Sequence, residues 1–178
     1  MKRTLALAVA CALVLEGCGE SDAPGEARKK TVLEYASMKD IRNINPHLYL
    51  GEMAAQAMVF EPLVFNTPEG VKPALAERWE ISGDGRTYTF QLKDGLTYKA
   101  VKGASTDYAI TAEDFVFAFR RMFAPQTSSP YAVEFSAIEN SAAVLAGEAA
   151  PASLGVSASG PLTLVFRLSE KDDNFLSK

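Results

Sequence analysis

Apolar and polar positions alternate most strictly on either side of Gly83-Asp84-Gly85. Trp79 and Ile81 precede that turn, and Tyr88, Phe90 and Leu92 follow it with a period of two. Successive strand side chains point to opposite faces, so the pattern predicts a β-hairpin with one buried face. A second hairpin is predicted from "LGVSA" through Ser159-Gly160 to "PLTLVFRL", with Leu162, Leu164, Phe166 and Leu168 directed inward. "LVF" and "VKPAL" flank the turn-forming "NTPEG" and predict a shorter one, while "TVLEYA" at 31–36 reads as a single strand.

Elsewhere the period lengthens to that of a helix. Thr111 is a predicted N-cap with Asp114 three residues on, and Phe115, Phe119 and Met122 recur at i, i+4 and i+7 before Pro125 ends the run. "GEMAAQAMVFEP" predicts another helix, with Met53, Ala57 and Phe60 on one face and Pro62 forcing Glu61 out of helical geometry. The methionines there are assigned to the core. A short helix is expected from Asn140 to Ala146 with Gly147 as its stop, and "SEKDDNFLSK" carries no closing pattern. Interleaved strands and helices indicate an α/β fold of mixed α+β type. Trp79, Phe90, Phe115 and Phe119 are expected to share one core and not to line a ligand cleft.

The start of the chain follows another rule. Met1-Lys2-Arg3 is basic and Thr4 to Leu15 is almost wholly apolar. That run is shorter than the roughly 20 residues a membrane-crossing helix needs, so residues 1–17 are expected to be a cleavable secretory signal. "LEGC" resembles a bacterial lipobox, which implies cleavage before Cys18 and attachment of lipid, palmitate included, to that cysteine; Glu16 departs from the small or apolar residue usual at its position. Cys11 would leave with the signal, and an unpaired surface thiol is disfavoured in an oxidising compartment, which strengthens the anchor reading. Residues 18–30, "CGESDAPGEARKK", have the composition of a flexible tether, and Thr31 to Lys178 suffice for one domain with its own core. The net charge is −4, and a leader carrying Lys2, Arg3 and Glu16 would take two positive charges and one negative with it. An acidic chain of this kind is not expected to bind nucleic acid.

"PALAERWEISGDGRTYTFQLKDGLTY", "ITAEDFVFAFRRMFAPQTSSPYA" and "LGVSASGPLTLVFRLSE", in that order, resemble bacterial solute-binding proteins of ABC importers, in the cluster that serves oligopeptides, dipeptides and nickel. The resemblance runs from about Val32 to Leu176. The capped helix followed by "SPYA", the spacer ending "LGV" and the alternating strand are most similar to the oligopeptide branch, whereas "NPHLYLGEMAAQAMVFEPLV" looks as much like the nickel-binding branch. The resemblance implies a bilobed periplasmic-binding-protein-like fold, of which residues 31–178 would form part of the N-terminal lobe, as expected of a truncated copy. It further implies an extracytoplasmic, lipid-anchored monomer that captures extended peptides for uptake, with permease subunits as partners and no cofactor. A nickel or other small-solute binder, or a lipid-anchored interaction module without a transport role, are the alternatives.

Site residues follow from the same motifs. The segment after Asn-Pro-His, here Leu50-Gly51-Glu52, would lend backbone groups to an extended ligand, a mode that recognises peptides without demanding a sequence. Gly51 suits close backbone approach, or else simply starts a helix. Tyr131 of "SPYA" would line the cleft, or else pack against its own lobe. His47 is the single histidine; it reads first as a turn residue, with ligand contact and metal ligation as alternatives, and the absence of a second histidine argues against a metal site. Catalysis is not expected. Ser128, Ser129 and His47 could be assembled into a hydrolase on paper, yet no G-x-S-x-G, H-E-x-x-H or phosphate-binding loop is present.

Overall fold

The computed structural model describes residues 34, 36, 45–49, 54–99 and 107–178. The chain divides into Met1–Ser37 and Met38–Lys178, and every element below lies in the second unit. In order these are α1 (Ala54–Ala57), β1 (Val64–Thr67), β2 (Gly70–Pro73), β3 (Ala76–Ile81), β4 (Thr87–Leu92), β5 (Thr97–Tyr98), β6 (Tyr108–Ala109), α2 (Ala112–Phe123), α3 (Ser141–Leu145), β7 (Val156–Gly160) and β8 (Thr163–Arg167). β3, β4, β8 and β7 form an antiparallel sheet in that order, while β1–β2 and β5–β6 are separate two-stranded ribbons. The class is mixed α/β.

The hairpin at Gly83-Asp84-Gly85 pairs Trp79 with Phe90 and Ile81 with Tyr88, and Tyr88, Phe90 and Leu92 are buried as the alternation requires. Ile81 is instead exposed and Trp79 only half-buried. The reason is position: α2 packs on β7 and β8, at the far side of the sheet from the edge strand β3. In the β7–β8 hairpin, Leu164, Phe166 and Leu168 are buried as expected. Its turn lies at Pro161-Leu162, two residues beyond the expected Ser159-Gly160, because Gly160 still pairs with Thr163 across a bulge after Ala158. Proline presets the backbone angle for an early turn position and has no N–H to give the ladder. Leu162 therefore sits in the turn, half-buried. The "NTPEG" ribbon forms as predicted, with Thr67 opposite Gly70.

Helix α2 begins after Thr111, whose backbone N–H and hydroxyl both donate to one oxygen of Asp114, at 2.8 and 3.0 Å. Glu113 and Asp114 in the first turn and Arg120 and Arg121 in the last oppose the helix dipole favourably. Its deepest residues are Ala112, Val116, Met122 and Phe123. Phe115 and Phe119, expected at the centre of that face, sit half-buried at its margin, packed against the same core as Phe90 and Trp79. Phe119 meets Phe135 and Phe166 edge-on, with centroids 5.2 and 4.9 Å away. These rings also border an apolar cavity of about 220 Å³ together with Leu63, Val64 and Phe175.

The expected helix over "GEMAAQAMVFEP" is a single turn among the described residues. Met58 is about half exposed, so its core assignment fails, and Phe60 is about half exposed as well. One turn is too short to lay a continuous apolar stripe on a neighbour. Its Met53 and the strand expected over 31–36 lie outside the described residues, apart from Glu34 and Ala36, neither of which is in a strand. Asn140 and Gly147 bracket α3, both with left-handed backbone, as the predicted start and stop. The acidic tail does contain a closing element: a 3-10 turn at Phe175–Ser177 buries Phe175 against Tyr88 and Phe166, and the Tyr88 hydroxyl donates to the Asp172 carbonyl at 3.1 Å.

Candidate functional site

"PQTSSPYA" turns the chain sharply where α2 ends. Pro125–Thr127 forms a 3-10 turn, Ser128 follows in the left-handed region with φ 49°, and its hydroxyl donates back to the Pro125 carbonyl at 3.1 Å. Ser129 is buried and accepts the Tyr131 N–H on its hydroxyl oxygen at 3.3 Å. Tyr131 then opens a second 3-10 turn, Ala132–Phe135, whose Glu134 N–H donates to the Tyr131 carbonyl. The ring thus stands on a doubly braced corner. It packs half-buried against the central core.

The Asn-Pro-His step is likewise a turn. The Asn45 side chain accepts the His47 N–H at 3.1 Å, and the Asn45 carbonyl accepts the N–H groups of Leu48 and Tyr49. Asparagine suits this place because its short amide caps its own turn. His47 is half-buried, and its Nδ1 has no hydrogen-bond partner among the described residues. Burial, and then the nearby Arg121 guanidinium, hold its basicity below that of an ordinary histidine. The imidazole therefore favours the neutral form. Tyr49, at the end of the turn, is buried.

The Tyr131 hydroxyl donates to the carbonyl oxygen of Tyr49, across 82 residues of sequence. "SPYA" and the Asn-Pro-His turn are thereby joined. Leu50, Gly51 and Glu52, the expected ligand-facing segment that follows Tyr49, lie outside the described residues, as does Cys18. Among the described residues no cluster of three or more His, Cys, Asp or Glu side chains could hold a metal, and no helix is long and apolar enough to cross a membrane.

Two participants escape the sequence pattern. Arg121 reads as an ordinary helix-terminal cation and Ser129 as a loop serine. Gln56, which reads as a polar helix residue, is buried, with neither amide atom hydrogen-bonded among the described residues. Contacts between residues so far apart leave no local periodicity to read. The Asn-Pro spacing before His47 was the one available signal for the turn.

The family model "Bacterial extracellular solute-binding proteins, family 5 Middle" matches residues 70–178. Among individual relatives, "Probable deoxycholate-binding periplasmic protein YgiS" of Escherichia coli (strain K12) is 39% identical over 144 residues, covering 78% of this chain and 26% of its own length. "Periplasmic oligopeptide-binding protein OppA" of Haemophilus influenzae is 36% identical over 129 residues, covering 70% of this chain and 23% of its own. The crystal structure of Haemophilus influenzae OppA in complex with RPPGFSPFR superposes with a TM-score of 0.64 at 33% identity, over 75% of this chain and 26% of that one. The chain spans about a quarter of the length of these relatives. Their names point to different ligands, deoxycholate in one and oligopeptides in the other.

Proposed function

Because the chain belongs to family 5 of the bacterial extracellular solute-binding proteins, we propose that it serves an ABC importer as part of a lobe that captures extended oligopeptides outside the cytoplasm. The observation that supports this reading is the Tyr131–Tyr49 hydrogen bond, which joins "SPYA" to the Asn-Pro-His turn. In this reading Leu50, Gly51 and Glu52 offer main-chain groups to the peptide backbone, and Tyr131 lines the same wall. A backbone-directed site tolerates many side chains. Peptide and permease subunits are the proposed partners.

The remaining parts of the proposal rest on the N-terminal sequence. Residues 1–17 act as the signal, Cys18 carries the lipid, residues 18–30 are the tether, and residues 31–178 form part of the N-terminal lobe. A monomer held this way works at the membrane surface while its lobe remains in water.

The decisive experiment is calorimetric titration of the chain with a tri- to pentapeptide mixture, with deoxycholate and with Ni²⁺. Enclosure of most of a ligand's surface is what normally offsets the cost of association, and one wall supplies only part of it. Peptide binding near a Kd of about 1 mM, worth roughly 4 kcal/mol, is expected, with neither of the other two ligands binding as tightly. Preference for deoxycholate or Ni²⁺ over every peptide would overturn the peptide assignment.

A further inference from the structure

We propose that the phenylalanine-lined cavity beside α2 is a second binding site, for a small neutral aromatic molecule, benzene-like or indole-like. The inference goes beyond the peptide reading and does not rest on it: neither Tyr131 nor His47 lines this cavity.

Four phenyl rings make its frame, each brought by a different part of the chain. Phe119 comes from α2, Phe135 from the 3-10 turn Ala132–Phe135, Phe166 from β8 and Phe175 from the 3-10 turn Phe175–Ser177. Phe119 is edge-on to Phe135 and Phe166, and Phe175 is edge-on to the same two, so the four close a ring of contacts with centroids 4.9, 5.2, 5.4 and 6.4 Å apart. Edge-to-face packing is the arrangement the aromatic quadrupole favours, and each ring here is held by two others. The frame therefore resists collapse into the space of about 220 Å³ that it borders. Phe166 and Phe175 are buried and form the floor, whereas Phe119, Phe135 and Leu63 are half-buried and lie toward solvent.

The lining sets the class of guest. Lys178 is the one charged residue among the described residues that line the cavity, and its ammonium is already paired with the Asp172 carboxylate at 2.5 Å. A buried water needs about two to four polar partners, which this wall does not offer, so the space stays dry and its lining atoms lack neighbours on one side. An apolar guest restores those contacts and leaves water in doing so. A carboxylate or ammonium would instead be stripped of water with no free partner. Size narrows the class further. Apolar cavities of about 150 Å³ bind benzene, and pockets for drug-sized ligands begin at about 300 Å³, so this one takes a substituted benzene or an indole and is too small for a whole peptide or a sterol-sized molecule.

The test is NMR on the full 178-residue chain, isotopically labelled and titrated with toluene up to its solubility, with benzoate in parallel. Toluene should give saturable shifts and intermolecular NOEs at the rings of Phe119, Phe135, Phe166 and Phe175. Benzoate should bind at least about tenfold more weakly, because its carboxylate must lose water. Leu63→Phe, which carries a larger side chain into the cavity, should weaken toluene binding by about tenfold or more. The NOE measurement uses the unaltered chain and so decides the matter even where Leu63→Phe does not fold. Absence of toluene NOEs to these rings would overturn the proposal, as would toluene binding of parental strength in a folded Leu63→Phe. Benzoate binding as tightly as toluene would overturn the neutral class of ligand.

Discussion

The backbone of Arg167 passes so close to Gly155 that a β-carbon built on the glycine would lie 2.4 Å from the Arg167 carbonyl oxygen and 2.8 Å from Cβ of Glu139. The approach is held by hydrogen bonds on both sides: Gly155 N–H donates to Glu139 at 2.9 Å, and Arg167 N–H donates to the Gly155 carbonyl at 2.7 Å. The glycine of "LGV" is therefore a packing requirement, not a turn. Gly155→Ala must push the backbone of β8 away, which should cost roughly 2 to 3 kcal/mol in urea denaturation. A variant within about 0.5 kcal/mol of the parent would show that the close approach is not needed.

Phe119 and Phe117 lie two residues apart on α2 and should behave oppositely. Phe119 packs edge-on against Phe135 and Phe166, whereas Phe117 is 67% exposed. Phe119→Ala should lose about 3 kcal/mol, the low end for a buried phenylalanine because the ring is only half covered. Phe117→Ala should change stability by less than about 0.5 kcal/mol. Equal losses at the two positions would remove Phe119 from the core.

This contrast marks what could be read from the sequence. The hairpin at Gly83-Asp84-Gly85 and the cap at Thr111 are legible because each is encoded within a few residues, by alternation or by a side chain reaching three positions along. Which side of α2 lies deepest is not local information. It depends on β7 and β8 lying beneath the helix, and so Val116 and Phe123 displace Phe115 from the centre of the buried face. Phe175 was invisible for a related reason: one aromatic in an acidic stretch has no period, and only the neighbouring Tyr88 and Phe166 rings make it core. At the site, Tyr131 and the Asn-Pro-His turn were both singled out, but their hydrogen bond joins residues 82 positions apart and no spacing announces it.

His47 should make stability depend on pH in mild acid. Burial and Arg121 lower its pKa in the folded state below the ordinary 6.5, so the unfolded chain binds the proton more readily. Its contribution is then fully present above about pH 6.5 and is lost as pH falls through the lowered folded value. Urea midpoints measured from pH 7.5 down to pH 5 should decline, and His47→Gln should flatten that decline because the chain has no other histidine. An unaltered slope in the variant would place the titrating group elsewhere.

Cys18→Ala tests the anchor. Each buried methylene of an acyl chain contributes about 0.8 kcal/mol, so a multiply acylated N-terminus should hold the chain on the membrane. In the bacterial host the variant should leave the membrane fraction or retain its leader. Recovery in the membrane fraction with the mass of the parent would contradict the lipoprotein proposal.

The central proposal is that an extended peptide engages Leu50 to Glu52 together with Tyr131. Amide chemical shifts of the isotopically labelled chain, followed while a tripeptide is titrated to several millimolar, test it most directly. The account predicts concentration-dependent shifts clustered on residues 47–52 and on Tyr131 and Ala132, with the amides of β4 and β8 unmoved. Shifts centred instead on Phe115, Phe135 and Phe175 around the apolar cavity, or no shifts at any concentration, would contradict it.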